Sequence, residues 1–340
     1  MDDIRFGLFI PNFMAQGIDV PELTRLAELA DGATRFDDIW VGDHIVLVER
    51  IRSRHPNFGR SVPSGTLEDF TRVGLGGMSA DDPVFEPLTL LSYLAGLTSR
   101  VRLGIGIMVT PLRHPVLAAK MLAAIDVLSN GRLIVGTGTG WLREEYEAVG
   151  ATWSGRGTRM DDYIKCMRYL WGPPTGEGFD SPSVRVSPWV RMSPKPPQGR
   201  DLPVWIGGNT EPALQRAARL GSGWHGAQLS PGAAKKAVTR LRELLEENGR
   251  PSDALTLSLR LTSWVQEGAK RDGTTPLVGS EQQILEALFE YQQAGLHHIQ
   301  LAPPPMVNMK DLPGHIERLD RITAEFRASS RTTSSAAIRR

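Results

Sequence analysis

The sequence predicts an α/β fold of the (β/α)8 barrel class, and three observations predict it. Short apolar runs alternate with amphipathic helical patterns along the chain, and eight such pairs can be counted. Most runs are continuous rather than alternating, as strands covered by helices on both faces must be. Alternation of strand and helix implies a parallel sheet with right-handed crossovers, and eight units favour closure over an open doubly wound sheet. The 340 residues suffice for one such barrel with inserted loops. The expected organisation is a single barrel domain over 1–327 and a disordered tail over 328–340, where the sequence is polar, low in complexity and aperiodic.

The first run, 5–10, leads to Asp19-Val20-Pro21-Glu22, a helix-start pattern ahead of an apolar stripe of Leu23, Leu26, Ala27 and Ala30. The second, 39–43, ends in Asp43-His44 and is followed by a polar, Gly/Pro-rich insertion at 45–86. Long loops in a compact fold are usually functional, and this one follows a strand C-terminus, so it is expected to form a lid or pocket wall. The third run is "VRLGIGIM", 101–108; His114-Pro115 then opens a helix with Leu117, Met121, Leu122, Ile125 and Leu128 apolar, closed by Asn130-Gly131. The fourth, 132–138, continues into "GTGTGW", after which Glu144 and Glu145 are expected on a solvated helix face with Tyr146 inward. A proline-rich insertion, 172–202, precedes the fifth run, 203–207, and Thr210-Glu211-Pro212 opens the next helix.

The sixth run is 223–229. The seventh, "LTLSLRLTSWV" at 255–265, does alternate; it sets Thr256, Ser258, Arg260 and Thr262 on one face, where an inward Arg260 and Thr262 would line a site. Ser280 to Gln283 reads as a capping box, 298–302 as the eighth strand, and Asp311-Leu312-Pro313 as the start of a last helix with Ile316, Leu319, Ile322 and Phe326 inward.

Composition narrows the functional classes. The net charge is +1, from 39 basic and 38 acidic residues, without a dense cationic patch, which argues against nucleic acid as the main partner. The single cysteine, Cys166, excludes an internal disulfide and any multi-cysteine zinc site, and lies in a helical pattern as a small buried hydrophobe. No leader pattern and no apolar run of membrane-spanning length is present, so a soluble cytoplasmic protein is expected. The seven histidines show no H-E-x-x-H spacing, and no metal site is expected. No G-x-S-x-G elbow occurs, and "GTGTGW" lacks the spacing of a dinucleotide fingerprint.

In a barrel the strand C-termini converge on one mouth, so the chemistry is sought there. Gly207-Gly208-Asn209-Thr210 leads straight into a helix N-terminus, and reads equally as a phosphate seat or as an ordinary capped turn. Asp43-His44 reads as a loop-capping turn or as an acid–base pair. With no internal nucleophile or metal pattern, the hard chemistry is expected of a bound cofactor. A phosphate-sugar isomerase would place glycine-rich turns after strands 7 and 8, where "SWVQEGAK" and "LAPPPM" stand instead.

Four stretches carry a resemblance: "IWVGDH" (39–44), "VRLGIGIMVTPLRHPVLAAK" (101–120), "IDVLSNGRLIVGTGTGWLREEYEAVG" (125–150) and "PVWIGGNTEPALQRAARLGSGW" (203–224). In this order they resemble the bacterial luciferase-like superfamily of flavin- and coenzyme F420-dependent oxidoreductases, and the wording of the second and third looks most like actinobacterial F420-dependent members. The resemblance implies a TIM barrel whose mouth holds a deazaflavin or isoalloxazine ring. It implies a non-proline cis peptide at Gly106-Ile107, with Met108 next, behind that ring, and cofactor contacts at Thr139, Gly140, Gly207, Gly208, Asn209 and Thr210. Two departures bear on chemistry. Thr139 stands where luciferase has a phosphate-binding arginine, and Trp141 where F420-dependent sugar-phosphate dehydrogenases have a catalytic glutamate, which points to an apolar pocket walled by Trp141.

The resulting expectation is F420-dependent hydride transfer to or from a small, largely apolar organic substrate. His44 would be the proton donor or acceptor and Asp43 its partner. An FMN-dependent monooxygenase using O2 and a non-catalytic flavin-binding protein are the alternatives. Arg113-His114 is read as a helix-start element with a structural or phosphate-side role. A homodimer is carried as an expectation from the family.

Overall fold

The eight apolar runs become parallel strands: β1 (Arg5–Phe9), β2 (Asp38–Val41), β3 (Arg102–Val109), β4 (Leu133–Gly138), β5 (Val204–Gly207), β6 (Gly223–Ala227), β7 (Thr256–Val265) and β8 (His298–Ala302). Each is followed by a helix: α1 (Val20–Gly32), α2 (Pro87–Leu97), α3 (Pro115–Leu128), the pair α4 (Arg143–Ala148) and α5 (Arg156–Trp171), α6 (Glu211–Leu220), α7 (Pro231–Glu247), α8 (Glu281–Gln293) and α9 (Leu312–Ile338). This is the (β/α)8 class that the alternation predicts. The computed structural model describes residues 4–13, 15–33, 35–53, 65–66, 81–268, 277–305 and 307–338. Most of the expected lid at 45–86 therefore lies outside the described residues.

The chain divides into two compact units: Met1–Pro11, Ala15–Trp40 and Trp205–Arg340 in one, Asn12–Met14 and Val41–Val204 in the other. In the first, β1 lies between β2 and β8, with Gly7 opposite both Asp38 and Gln300. β8 pairs with β7, β7 with β6, and β6 with β5. In α1 and α9 the helix faces are those that the periodicity selects, whereas in α3 the expected stripe is corrected: Leu122 and Ile125 are buried but Leu117 and Leu128 are exposed. Leu23, Leu26, Ala27 and Ala30 of α1 are buried, as are Ile316, Leu319, Ile322 and Phe326 of α9. Asp19 caps α1 by accepting from the Glu22 amide at 2.9 Å, and Ser280 and Gln283 form the reciprocal capping box of α8.

A polar chain runs through the interior of this unit. The Asp38 carboxylate binds the Trp40 indole N–H and sits 2.8 Å from His298 Nε2; His298 Nδ1 is 2.7 Å from the Ser258 hydroxyl, which is 2.8 Å from His225 Nδ1. Trp40 stacks on His225, with centroids 4.9 Å apart and planes at 4°. Burial, then electrostatic interaction with the neighbouring His298 and Arg260, pushes His225 down to about 3, which favours its neutral ring in the folded protein.

In the second unit β3 pairs with β4, and the register shifts between Ile105 and Met108, where the Gly106–Ile107 peptide is cis. The insertion at 172–202 carries a two-stranded antiparallel ribbon, Phe179–Asp180 with Arg185–Val186. Its far end is pinned at the start of β4: the Gln198 side-chain amide donates to the Leu133 carbonyl at 2.9 Å and to Asp126 at 2.8 Å. Leu133 is the first residue of β4, so this contact lies at the end opposite Gly138.

Two further expectations are corrected. Helix α9 continues to Ile338, through residues 328–338 of the tail expected to be disordered. Once Ile316, Leu319, Ile322 and Phe326 anchor the helix, further turns cost no new nucleation, and Ala328, Arg331, Ala336 and Ala337 propagate it despite low complexity. Glu144 and Glu145 are not on a solvated face but are 8 % and 2 % exposed, held in by the hydrogen bonds described below. Among the described residues no helix is long and apolar enough to cross a membrane.

Candidate active site

Strand β2 ends at Val41, and Gly42 is fixed immediately after it by Asn12. The Asn12 side chain is fully buried and saturated: Oδ1 accepts from the Gly42 amide at 2.8 Å, and Nδ2 donates to the carbonyls of Gly42 and Phe85, each at 2.9 Å. This clamp sets the direction in which the next two side chains leave the backbone.

They leave toward different partners. Asp43 is engaged by an arginine fork: Arg113 Nη1 donates to Oδ2 at 2.7 Å and Nη2 to Oδ1 at 2.9 Å, and the Val109 amide donates to Oδ2 at 2.7 Å. Arg113 also reaches Glu86 Oε1 at 2.8 Å, and Glu86 caps α2 by accepting from the Thr89 amide at 2.7 Å. Burial opposes the charge of Arg113, but the hydrogen bonds and charges of Asp43 and Glu86 outweigh it and raise its pKa above the ordinary value. Burial would likewise raise Glu86, yet the Thr89 amide and Arg113 hold it below the usual carboxylate range. The expected Asp43–His44 pairing is therefore corrected: Asp43 ties the end of β2 to β3 and to the loop before α3, and Arg113 has the structural role read from the sequence.

His44 pairs instead with Glu145. Its Nδ1 lies 3.1 Å from Glu145 Oε2, and Glu145 Oε1 accepts from the Ile45 amide at 2.8 Å. A carboxylate can only accept, so His44 donates from Nδ1, which fixes the tautomer with the proton on that nitrogen. Phe13 meets the imidazole edge-on at 5.0 Å and Trp141 at 6.4 Å, so the ring stands in a largely apolar setting, 15 % exposed. Glu144, next to Glu145 on α4, accepts from the Arg52 amide at 2.6 Å and from the Ser53 hydroxyl at 2.7 Å. These two acids of one short helix hold the start of the segment after β2 at both His44–Ile45 and Arg52–Ser53.

The "GTGTGW" stretch is explained by the shift in β3. A Cβ on Gly138 would lie 2.1 Å from Ile107 Cδ1, so the side chain after the cis peptide occupies space that only a glycine on β4 leaves. Ile107 is half-buried, whereas Gly106 and Met108 are fully buried. Thr139, Gly140 and Trp141 are half-buried beyond β4, and the Thr139 carbonyl accepts from the Tyr146 hydroxyl at 2.5 Å.

In the other unit the 207–210 turn is built differently from its sequence reading. Asn209 is spent on β6: Nδ2 donates to the Ala227 carbonyl at 2.7 Å and Oδ1 accepts from the Ala227 amide at 3.0 Å. Gly208 takes φ +114 and its carbonyl accepts from the Trp224 indole at 2.8 Å. Thr210 occupies the N-cap position of α6 without a side-chain cap bond and its side chain is exposed, so its hydroxyl can donate to an anion; in the first turn Pro212 has no N–H and the Ala213 amide is bonded to the Thr210 carbonyl at 2.8 Å.

Sequence reasoning missed Asn12, Glu86 and Glu145. Glu145 had a signal, two acids in the first turn of a helix directly after a barrel strand end; Asn12 and Glu86 had none, because their partners lie 30 and 27 positions away. Among the described residues no group of three His, Cys, Asp or Glu is gathered as a metal site.

Comparison with known proteins follows from this geometry. Residues 4–271 match the family described as luciferase-like monooxygenase. An uncharacterised protein of Mycobacterium tuberculosis is 31 % identical over 190 residues, covering 56 % of this chain and 64 % of its own length, so the chain spans less than two thirds of that relative. A phthiodiolone/phenolphthiodiolone dimycocerosates ketoreductase of Mycobacterium tuberculosis is 25 % identical over 276 residues, 80 % of this chain and 68 % of that one. Among solved structures, a long-chain alkane monooxygenase superposes with TM-score 0.76 at 14 % identity, over 97 % of this chain and 92 % of that chain. An F420-dependent secondary alcohol dehydrogenase in complex with an F420-acetone adduct superposes with TM-score 0.70 at 15 % identity, over 89 % and 94 %. At those identities the two structures bear on the fold alone.

Proposed function

The chain belongs to the luciferase-like monooxygenase family, and from that premise we propose that it is an F420-dependent oxidoreductase acting on a small, largely apolar organic substrate. The observation that carries the reading is His44, fixed through Nδ1 by Glu145 and in edge contact with Phe13 and Trp141. In the unit that holds His44, Ile107 projects from the shifted part of β3 and half-buried Thr139, Gly140 and Trp141 follow β4, a set that suits a planar ring. The 207–210 turn belongs to the other unit, where the exposed Thr210 hydroxyl suits a phosphate. A bound deazaflavin would supply or accept the hydride.

The protein's own part is proton handling and exclusion of water. His44 Nε2 gives a proton to the reduced substrate, or takes one in the reverse direction, while Glu145 keeps the ring in the tautomer that does so. Phe13 and Trp141 supply apolar walls on either side of the imidazole. A carbonyl compound is the favoured acceptor, since its oxygen needs the proton that His44 carries and a relative is named as a ketoreductase. Asp43 acts through the backbone, by holding β2 and β3 together with Arg113.

The test is fluorescence titration of the purified protein with F420 and, separately, FMN. Preference for F420 by more than about tenfold, some 1.4 kcal/mol, supports the reading. The reverse preference makes the protein a flavin enzyme, and the monooxygenase reading of the same residues takes its place.

A further inference from the structure

Arg260 is a half-buried cation that finds no counter-ion among the described residues. Its guanidinium lies over the Phe9 ring at 4.2 Å, and its Nε is a buried atom with no hydrogen-bond partner. Directly across the β7–β8 pairing stands Gln300, which is fully buried; its Oε1 lies 3.1 Å from His225 Nε2 and its Nε2 has no partner. Both residues belong to the same unit, on the face that carries Ser258 and His298. Two neighbouring side chains thus each present a buried donor atom with no acceptor, Arg260 Nε and Gln300 Nε2. Leaving buried donors unsatisfied costs stability. Burial lowers Arg260 to about 10, which still leaves it cationic near neutrality, and that charge helps keep His225 neutral.

We propose that Arg260 and Gln300 form a binding pair for a negatively charged or strongly polarised oxygen on a planar conjugated ligand, a carboxylate, enolate or ring carbonyl. The guanidinium would donate to that oxygen while its face rests on Phe9, and the Gln300 amide would donate a second hydrogen bond beside it. The pair lies outside the His44–Glu145 couple, so it stands whether or not the cofactor reading does. Two sources could supply such an oxygen, the ring system of a deazaflavin or flavin and the substrate itself, and the experiment separates them.

Benzoate is the probe for a planar carboxylate, followed by tryptophan fluorescence, since Trp40 and Trp205 lie beside His225 in the same network. It is titrated into the wild type, Arg260→Met and Gln300→Glu, alone and with F420 or FMN present. Gln300→Glu puts an internal carboxylate beside Arg260 and should occupy it, so this variant keeps the test valid if Arg260→Met fails to fold. The expected result is benzoate binding to the wild type that weakens by about tenfold or more in both variants. If F420 or FMN affinity falls equally in the variants, the pair serves the cofactor ring; if it is unchanged and benzoate still binds the loaded protein, the pair serves the substrate. No binding of benzoate, F420 or FMN to the wild type, or equal affinities across all three proteins, overturns the proposal.

Discussion

At the scale of single residues, His44 and Asp43 are chain neighbours with different partners, and the roles proposed for them differ measurably. His44→Gln should lower kcat by roughly 10²–10⁴-fold, the usual worth of a general acid or base, with cofactor affinity retained. Glu145→Gln should lower kcat by on the order of tenfold with KM little changed, because it releases the ring without removing it. A rise in KM at constant kcat would mean that Glu145 shapes binding instead. Asp43→Asn should act on stability: it breaks a buried fork and leaves Arg113 with Glu86 alone, at a cost of about 3–5 kcal/mol read from the urea midpoint at constant m. If Asp43→Asn instead abolishes turnover in a protein as stable as the wild type, the structural role given to Asp43 is wrong. The place of His44, just past the end of β2, was legible in the sequence. Its partner was not, because adjacency along a chain says nothing about direction: beyond β2 the two side chains diverge, and Glu145 approaches from 101 positions away.

At the scale of elements, periodicity carried most of the fold. The stripe of α1, the inward face of α9, the capping box of α8 and all eight strands follow from residue pattern and cap chemistry, which are local. What escaped was set by contacts between elements. Glu144 and Glu145 read as solvated because charged residues in a first helical turn usually are, yet here they satisfy the backbone amides of Ile45, Arg52 and Ser53. The glycines of "GTGTGW" are one half of a fit whose other half is the shift in β3. Gly138→Ala should therefore cost about 1–3 kcal/mol by driving a methyl group into Ile107. Ile107→Val removes the opposing Cδ1 and should recover part of that loss, so the double variant should be more stable than the sum of the singles predicts. Additivity of the two substitutions would show that the glycine is not there for Ile107.

At the scale of the whole molecule, two buried histidines should give stability a definite pH dependence. Burial, joined by electrostatic interaction with His298 and Arg260, pushes His225 down to about 3; burial pushes His315 down to about 4 despite its 3.1 Å hydrogen bond to the Ser263 carbonyl. The ordinary value is 6.5, so between that pH and about 4 the unfolded chain binds protons that the native protein refuses. The sign follows: stability is full above about pH 6.5 and falls as the pH drops, by up to about 1.4 kcal/mol per pH unit for each histidine. Carboxylates add their own loss only lower, so the window between about pH 6.5 and 5 belongs chiefly to these two rings. His315 is the cleaner one to remove, since its imidazole bonds a single backbone carbonyl and rests on Trp264 at 4.3 Å, outside the Asp38 to His225 chain. His315→Gln should flatten the slope of unfolding free energy against pH in that window by about half, whatever it does to stability at neutral pH. Urea unfolding at half-unit pH steps measures the slope directly. An unchanged slope would place the acid sensitivity of the native state elsewhere and would mean that His315 accepts its proton without leaving the fold.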